Sequence, residues 1–434
     1  MARNHDAIVI GAGVIGAAIA LGLARKGFKV LGVDRLPAAG YGSTSGSCAI
    51  IRPYYSTVDG SALGWESHFY WRDWADFLGV EDERGLARYI ACGCLRLKSP
   101  GNKFLEPTVA LMDKIGCPYE HWSAEQVIER LPMVVLDSFG EVKPVDAPDF
   151  GQPAGPPLPG GVFFPDGGYV SDPQIATHNL QRAAEAAGAR FRFNVTVTAI
   201  RQAGGRVVGV TLDGDEELDA PVVVNVAGPH SFKVNRLAGV EDGMNVKTRA
   251  LRHEVCHVPS PGGFDYEHKG FVFSDGEIGV YIRPETGNHI LIGSEDPPCD
   301  ARQWVDPDDF NRDFTDQWRV QVMRLAQRMP ALGVPSRGKG LVDLYDVSDD
   351  WIPIYDKSDL AGFYMAVGTS GNQFKNAPIV GEMMADLITA CESGRDHDAD
   401  PVDFHLRHID RTVSLGFYSR RREVNPDSSF SVLG

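Results

Sequence analysis

The sequence predicts an α/β protein: a Rossmann-like domain in several pieces, with an inserted α+β lobe built on an antiparallel sheet. Three observations predict it. GAGVIG stands between a short apolar strand and a long apolar helix-like run. After about residue 250 the pattern changes to short strands between turn signals, as in an antiparallel sheet. Near residue 363 the chain returns to an apolar strand, a Gly-rich turn and a helix-like segment.

Size and charge narrow the function classes. The 434 residues suggest more than one lobe, and 43% hydrophobic content supplies large cores. With 42 Lys and Arg against 58 Asp and Glu, the formal charge is −16, which argues against nucleic-acid and membrane-surface binding. No apolar run is long enough to span a bilayer, and the first residues lack the layout of a cleavable leader. Seven scattered cysteines suit a reducing compartment, so the expectation is a cytoplasmic protein. Cys92 and Cys94 lack a matching Cys or His pair and do not read as a metal site, and no metal is expected.

In order along the chain, AIVIGAG is a strand and turn, VIGAAIALGLARKG a helix and KVLGVDR a second strand. Gly11, Gly13 and Gly16 form G-x-G-x-x-G, which permits a tight turn, close approach of a pyrophosphate and helix–strand packing. Val14 and Ile15 open the helix, whose N-terminus attracts phosphates. Asp34 ends the second strand, where an acid accepts from a ribose, and Arg35 follows it. This turn alone does not choose between NAD and FAD. Ser43, Thr44 and Ser45, in GSTSGSC, offer hydroxyls to a longer cofactor.

The run from Trp65 reads as an aromatic-rich helix, and residues 143 to 161 as a Pro- and Gly-rich surface excursion. Asp172-Pro173 opens a helix reaching Gly188. A strand pair turns at Gly204-Gly205, and VVVNVAGP from Val222 is a strand buried on both faces. LRHEVCHV, FVFS, GVYIRP and NHILIG are the short strands of the second lobe, and residues 306 to 332 look helical. The boundaries expected are 1–95, 160–250 and 335–395 for the nucleotide-binding domain, 96–159 and 251–334 for the substrate domain, and 396–434 for a tail. The basic cluster SRRRE in that tail reads as a surface or subunit-contact feature.

GTSGNQFKNAP, residues 368 to 378, places Lys375 at the start of a helix, where the macrodipole disfavours a cation. An anion beside it offsets that cost. Arg52 closes AIIR next to the other Gly- and Ser-rich loop. A guanidinium and an ammonium together suit one carboxylate.

GAGVIG with Asp34, STSGSCAIIRP, VVVNVAGP, VYIRPETGNHILIG and GTSGNQFKNAPIVGEMMADL together resemble the D-amino-acid oxidase and sarcosine oxidase group of FAD-dependent amine oxidoreductases, closest to the sarcosine oxidase branch. The resemblance covers most of the chain. It implies a glutathione-reductase-type FAD domain and a substrate carboxylate held by Arg52 and Lys375. It also implies Val197 at the adenine and Ala227 and Gly228 along the cofactor. Thr44 and Ser45 would lie along the flavin tail, and Gly368, Gly371 and Asn372 near the isoalloxazine, with Gln373 and Phe374 completing that turn. Tyr281 is implied at the substrate pocket.

Asn372-Gln373 replaces the His-Gly pair usual in that branch. Asp343 and Ser45 stand where covalent-flavin members carry Cys or His, so non-covalent FAD is expected. Leu291 stands where some oxidases carry a lysine, leaving room for a dehydrogenase. The expected reaction is oxidation of a C–N bond in a small, N-methylated or secondary amino acid. Hydride goes to flavin N5 and water hydrolyses the imine, with O2 or a protein or quinone as electron acceptor. A hydroxy acid, another small anion, or a flavin-carrying subunit of a larger complex are the competing readings. The partners expected are a carboxylate-bearing amine and a possible homo-oligomer.

Overall fold

The computed structural model describes residues 5–99 and 105–434. Residues 1–4, part of the stretch read as lacking a leader, lie outside the described residues, as do 100–104 of the substrate-domain segment.

A six-stranded sheet carries the Gly-rich motif. Its order is Ile354–Lys357, Phe363–Val367, Val222–Asn225, Ala7–Ile10, Val30–Val33, Arg190–Arg192. All neighbours are parallel except the first two. Alternation explains why its strands are apolar throughout. Ala7 and Val9 join one buried cluster, while Ile8 and Ile10 join another on the opposite face. Helix Val14–Arg25 packs between Pro173–Ala186 and Ala377–Glu392 on the first face. Asp172 caps the second of these, its carboxylate accepting from the amides of Gln174 and Ile175.

An eight-stranded, mostly antiparallel sheet forms the second lobe. Its order is Gly340–Ser348, Thr248–Pro259, His289–Ser294, Val280–Glu285, Val272–Asp275, Cys94–Leu97, Gly160–Phe164, Glu120–Ser123. Hydrogen bonding assigns Gly160–Phe164 and Gly340–Ser348 to this sheet, although the expected boundaries grouped them with the nucleotide-binding lobe. Period-two alternation gives the sheet two jobs. Cys256, Val258, Ile282, Ile290 and Ile292 pack against Val322 and Leu325 of helix Asp316–Arg328. Residues of opposite parity, His253, Tyr281 and Tyr345 among them, face a cavity between the sheets.

Two local expectations shift. The aromatic helix begins before Trp65: it runs Val58–Arg72, because Thr57 caps it through the Gly60 amide. In the tail, Arg420 of the basic cluster is fully buried and bonds Asp356 at 3.0 Å and Asp398 at 2.8 Å. Arg422 pairs with buried Asp350 at 2.8 Å. Asp350, Asp356 and Asp398 thus draw Arg420 and Arg422 inward, while Arg421 stays half-exposed and Glu423 exposed.

Candidate functional site

A cavity of about 640 Å3 lies between the two large sheets, and most of the expected site residues line it. At the end of the first strand, Gly11 has φ +108°, and a Cβ there would sit 2.3 Å from the Val226 carbonyl oxygen. A Cβ on Gly16 would sit 2.0 Å from the Gly11 oxygen. Gly16 therefore packs helix against turn behind the cavity, while Gly11, Gly13, Val14 and Ile15 face it. The helix carries no acid in its first turn, so its positive end is not neutralised locally. Asp34 is fixed by two backbone amides, Ala12 at 2.7 Å and Leu36 at 2.8 Å, which leave each carboxylate oxygen a further lone pair toward the cavity.

Arg35, Val197, Ala227 and Gly228 also line the cavity. The Arg35 guanidinium meets Asp308 of the second lobe at 2.6 Å, so its charge is already matched. In the Ser-rich loop, Thr44 Oγ1 accepts from the Val14 amide at 3.1 Å, tying the loop to the helix start. Ser43 donates to Asp343 at 3.1 Å. Ser45 departs from expectation: its hydroxyl donates to the Gly42 carbonyl at 2.8 Å, inside its own turn, and it does not line the cavity.

The second Gly-rich turn divides likewise. Gly371, Asn372, Gln373 and Phe374 line the cavity, but Gly368 does not. Its amide donates to Asp346 at 2.7 Å, and burial pushes the Asp346 carboxyl up to about 7. Gln373 is locked by Tyr355 at 3.0 Å and Asn376 at 2.7 Å, and Phe374 stacks on Trp71.

Arg52, Lys375 and Tyr281 line the same cavity, the first two 6% and 3% exposed. Arg52 donates to the backbone carbonyls of Tyr54 and Val432, the second at 2.7 Å, and lies over the Tyr55 ring at 4.5 Å. Lys375 Nζ donates to the Asn372 carbonyl at 2.6 Å and the Tyr55 hydroxyl at 3.0 Å. Burial, then the neighbouring Arg52 charge, holds the Lys375 pKa well below its usual value. Burial thus favours the uncharged amine, which opposes the dipole less than an ammonium does, and an anion beside it would favour the charged form. Tyr281 meets Tyr345 oxygen to oxygen at 3.5 Å, and burial pushes its phenol well upward.

Similarity to known proteins decides the family. The model of the FAD dependent oxidoreductase (DAO) family matches residues 6–387. The chain belongs to this family. It is 26% identical to the FAD-dependent oxidoreductase domain-containing protein 1 of Bos taurus over 89% of this chain and 81% of the relative. It is 27% identical to the N-methyl-L-tryptophan oxidase of Yersinia pestis over 88% of this chain and 94% of the relative. It spans only 44–61% of the length of three bifunctional relatives. The L-proline dehydrogenase of P. horikoshii shares the fold with a TM-score of 0.75 at 18% identity, over 98% of this chain and 100% of that one. The expected α/β architecture with an inserted antiparallel sheet is thus the family fold.

The family's FAD fits the residues present. The cavity is of cofactor size, a side chain at Gly11 would collide with the Val226 backbone, and the helix start, where Thr44 meets only the first amide, faces the same space as Asp34. Among the described residues, no helix is long and apolar enough to cross a membrane.

The sequence reading missed Val432 and Leu433, which enter the cavity wall from the tail, and Asp308, which closes on Arg35. No motif marks either, since both act through long-range backbone or ion contacts. Tyr54 and Tyr55 were visible as aromatics after a proline, and their contacts with Arg52 and Lys375 appear only in three dimensions.

Proposed function

We propose that the protein oxidises the C–N bond of a small amino acid or of a sarcosine-like N-methylated or secondary amino acid, with non-covalently held FAD. One observation carries the reading. Arg52 and Lys375 are buried on one cavity wall, and neither makes an ion pair among the described residues. A buried guanidinium and amine with no carboxylate at ion-pair distance favour a bound anion, even with buried Glu295 near enough to feel the Arg52 charge. The Arg52 fork takes a carboxylate on two oxygens, and Lys375 adds a point charge.

Bound FAD supplies the two-electron acceptor for this chemistry. Gly11, Gly13, Val14 and Ile15 would cradle its phosphates, Asp34 its ribose, Val197, Ala227 and Gly228 its adenosine half. Ser43 and Thr44 would follow its tail, and Gly371 to Phe374 its ring system. Arg52 and Lys375 orient the substrate, which turns a chance encounter into a fixed geometry. The Arg52 charge disfavours an ammonium, so the bound amine sheds its proton, and burial, by lowering the Lys375 pKa, leaves Nζ able to accept it. Non-covalent attachment is supported by Asp343, a carboxylate on the cavity wall at the position where a thiol would be needed. The N-methyl-tryptophan oxidase relative supports an N-methylated substrate class, and Asn372-Gln373 supports a departure from sarcosine itself.

The test is an anaerobic screen of amino acids, N-methyl amino acids and hydroxy acids for flavin bleaching. Bleaching by an amine and not by its hydroxy counterpart is expected. The reverse pattern overturns the reading, and readmitted air then sorts an oxidase from a dehydrogenase.

A further inference from the structure

The sheet of the second lobe brings a row of polar side chains to the cavity beside Arg52. Ser274 stands in register with Arg96 on one neighbouring strand and with Tyr281 on the other, and residues in register share a face. Ser274 and Tyr281 line the cavity. The Ser274 hydroxyl donates to the carboxyl of Glu295, just past the end of strand His289–Ser294, and both residues are buried.

Tyr54 joins this row to Arg52. Its buried ring has the Arg52 guanidinium at 5.1 Å and that of Arg96 at 5.2 Å. Its hydroxyl makes no hydrogen bond among the described residues, yet it is not sealed off and opens on the cavity that Tyr54 lines. A buried phenol without a partner favours a ligand that supplies one. Burial pushes the phenol upward, so it keeps its proton.

The surroundings select the chemistry of that ligand. Burial raises the Glu295 carboxyl to about 7 against the pull of Arg96 and Arg52, so near neutrality either partner of the Ser274–Glu295 bond carries the proton. Ser274 accordingly offers the cavity a lone pair or an O–H. Only a group that both donates and accepts satisfies both forms and Tyr54 as well. A hydroxyl or a carboxamide does so. A methyl does neither, an ammonium only donates and a carboxylate only accepts.

We propose that Tyr54 and Ser274, with Glu295 and Arg96 behind them, form a subsite for the substrate side chain, and that it takes an uncharged chain ending in a hydroxyl or a carboxamide. This rests on the reading above in which Arg52 and Lys375 hold the carboxylate. A site built to hydrogen-bond a polar head rejects the aliphatic analogue that leaves its groups unpaired.

The probes are butyrate, γ-hydroxybutyrate, succinamate, γ-aminobutyrate and succinate, titrated into the FAD-loaded protein and read by the shift in flavin absorption. None carries an α-amine, so binding is read apart from turnover. At least one of γ-hydroxybutyrate and succinamate should bind about ten-fold more tightly than butyrate. γ-Aminobutyrate and succinate should bind no more tightly than butyrate. Tyr54→Phe and Ser274→Ala should each bring the ratio of polar to plain affinity toward one, and two separate removals keep the test open if one variant does not fold. Butyrate binding as tightly as both uncharged polar acids, a charged acid binding most tightly, or the parental ratio in the variants, overturns the subsite. Arg52→Met separates the two levels. If it weakens butyrate while the parent shows no preference for a polar head, the subsite falls and the carboxylate site stands. If it binds butyrate like the parent, the carboxylate site falls and the side-chain subsite with it.

Discussion

Arg52 and Val432, 380 positions apart in the chain, are joined by a 2.7 Å hydrogen bond from the guanidinium to the backbone carbonyl. That bond brings the tail of the chain to the wall of the cavity that also holds Lys375 and Tyr281.

Arg52→Met and Lys375→Met should each weaken carboxylate binding about 10- to 100-fold, the scale of a lost charge-assisted hydrogen bond. Half-saturation constants for whichever acid bleaches the flavin check this. Unchanged constants in both variants would remove the proposed clamp.

Gly11→Ala should yield protein with little bound flavin, because its Cβ would lie 2.3 Å from the Val226 backbone oxygen at a φ of +108°. The ratio of flavin to protein absorbance after purification reads the effect. Gly13→Ala meets only the Thr44 hydroxyl at 3.0 Å, a side chain that can give at the cost of its bond to Val14, so its loss should be the smaller of the two.

Asp346 gives a pH signature. Its carboxyl titrates at about 7 in the folded chain against a usual 3.8, because it is buried. Between those values the folded state keeps a proton that the unfolded state has released, so this group's contribution to stability falls as pH rises through the window. Asp346→Asn removes that slope. Melting curves at about pH 5 and about pH 8 should differ less for the variant than for the parent; an equal difference would mean that Asp346 is not the titrating group.

Arg420→Ala should destabilise the protein by about 3–5 kcal/mol, since it leaves the buried Asp356 carboxylate uncompensated. Denaturant unfolding measures the loss. An effect below about 1 kcal/mol, the usual value of an exposed pair, would show that the cluster is a surface feature after all.

What the sequence determined by itself was whatever depends on near neighbours. Gly11, Gly13 and Gly16 between a strand and a helix, Asp34 at the next strand end, and the run from Val222 are all local patterns, and the structure places them in the parallel part of one sheet and its first turn. Asp172 before Pro173 marked its helix because capping is settled within four residues. Ser45 and Gly368 were legible as members of small-residue turns, but the turn alone does not say which of its residues faces inward; a hydrogen bond to Gly42 and one to Asp346 decide that. Tertiary structure alone decided that Arg420 and Arg422 of SRRRE are internal anchors and that Val432 meets Arg52. The physical reason is shared: a buried ion pair or a backbone acceptor brought from hundreds of residues away leaves no periodicity in the chain, because any residue can supply a carbonyl and only packing chooses which one arrives.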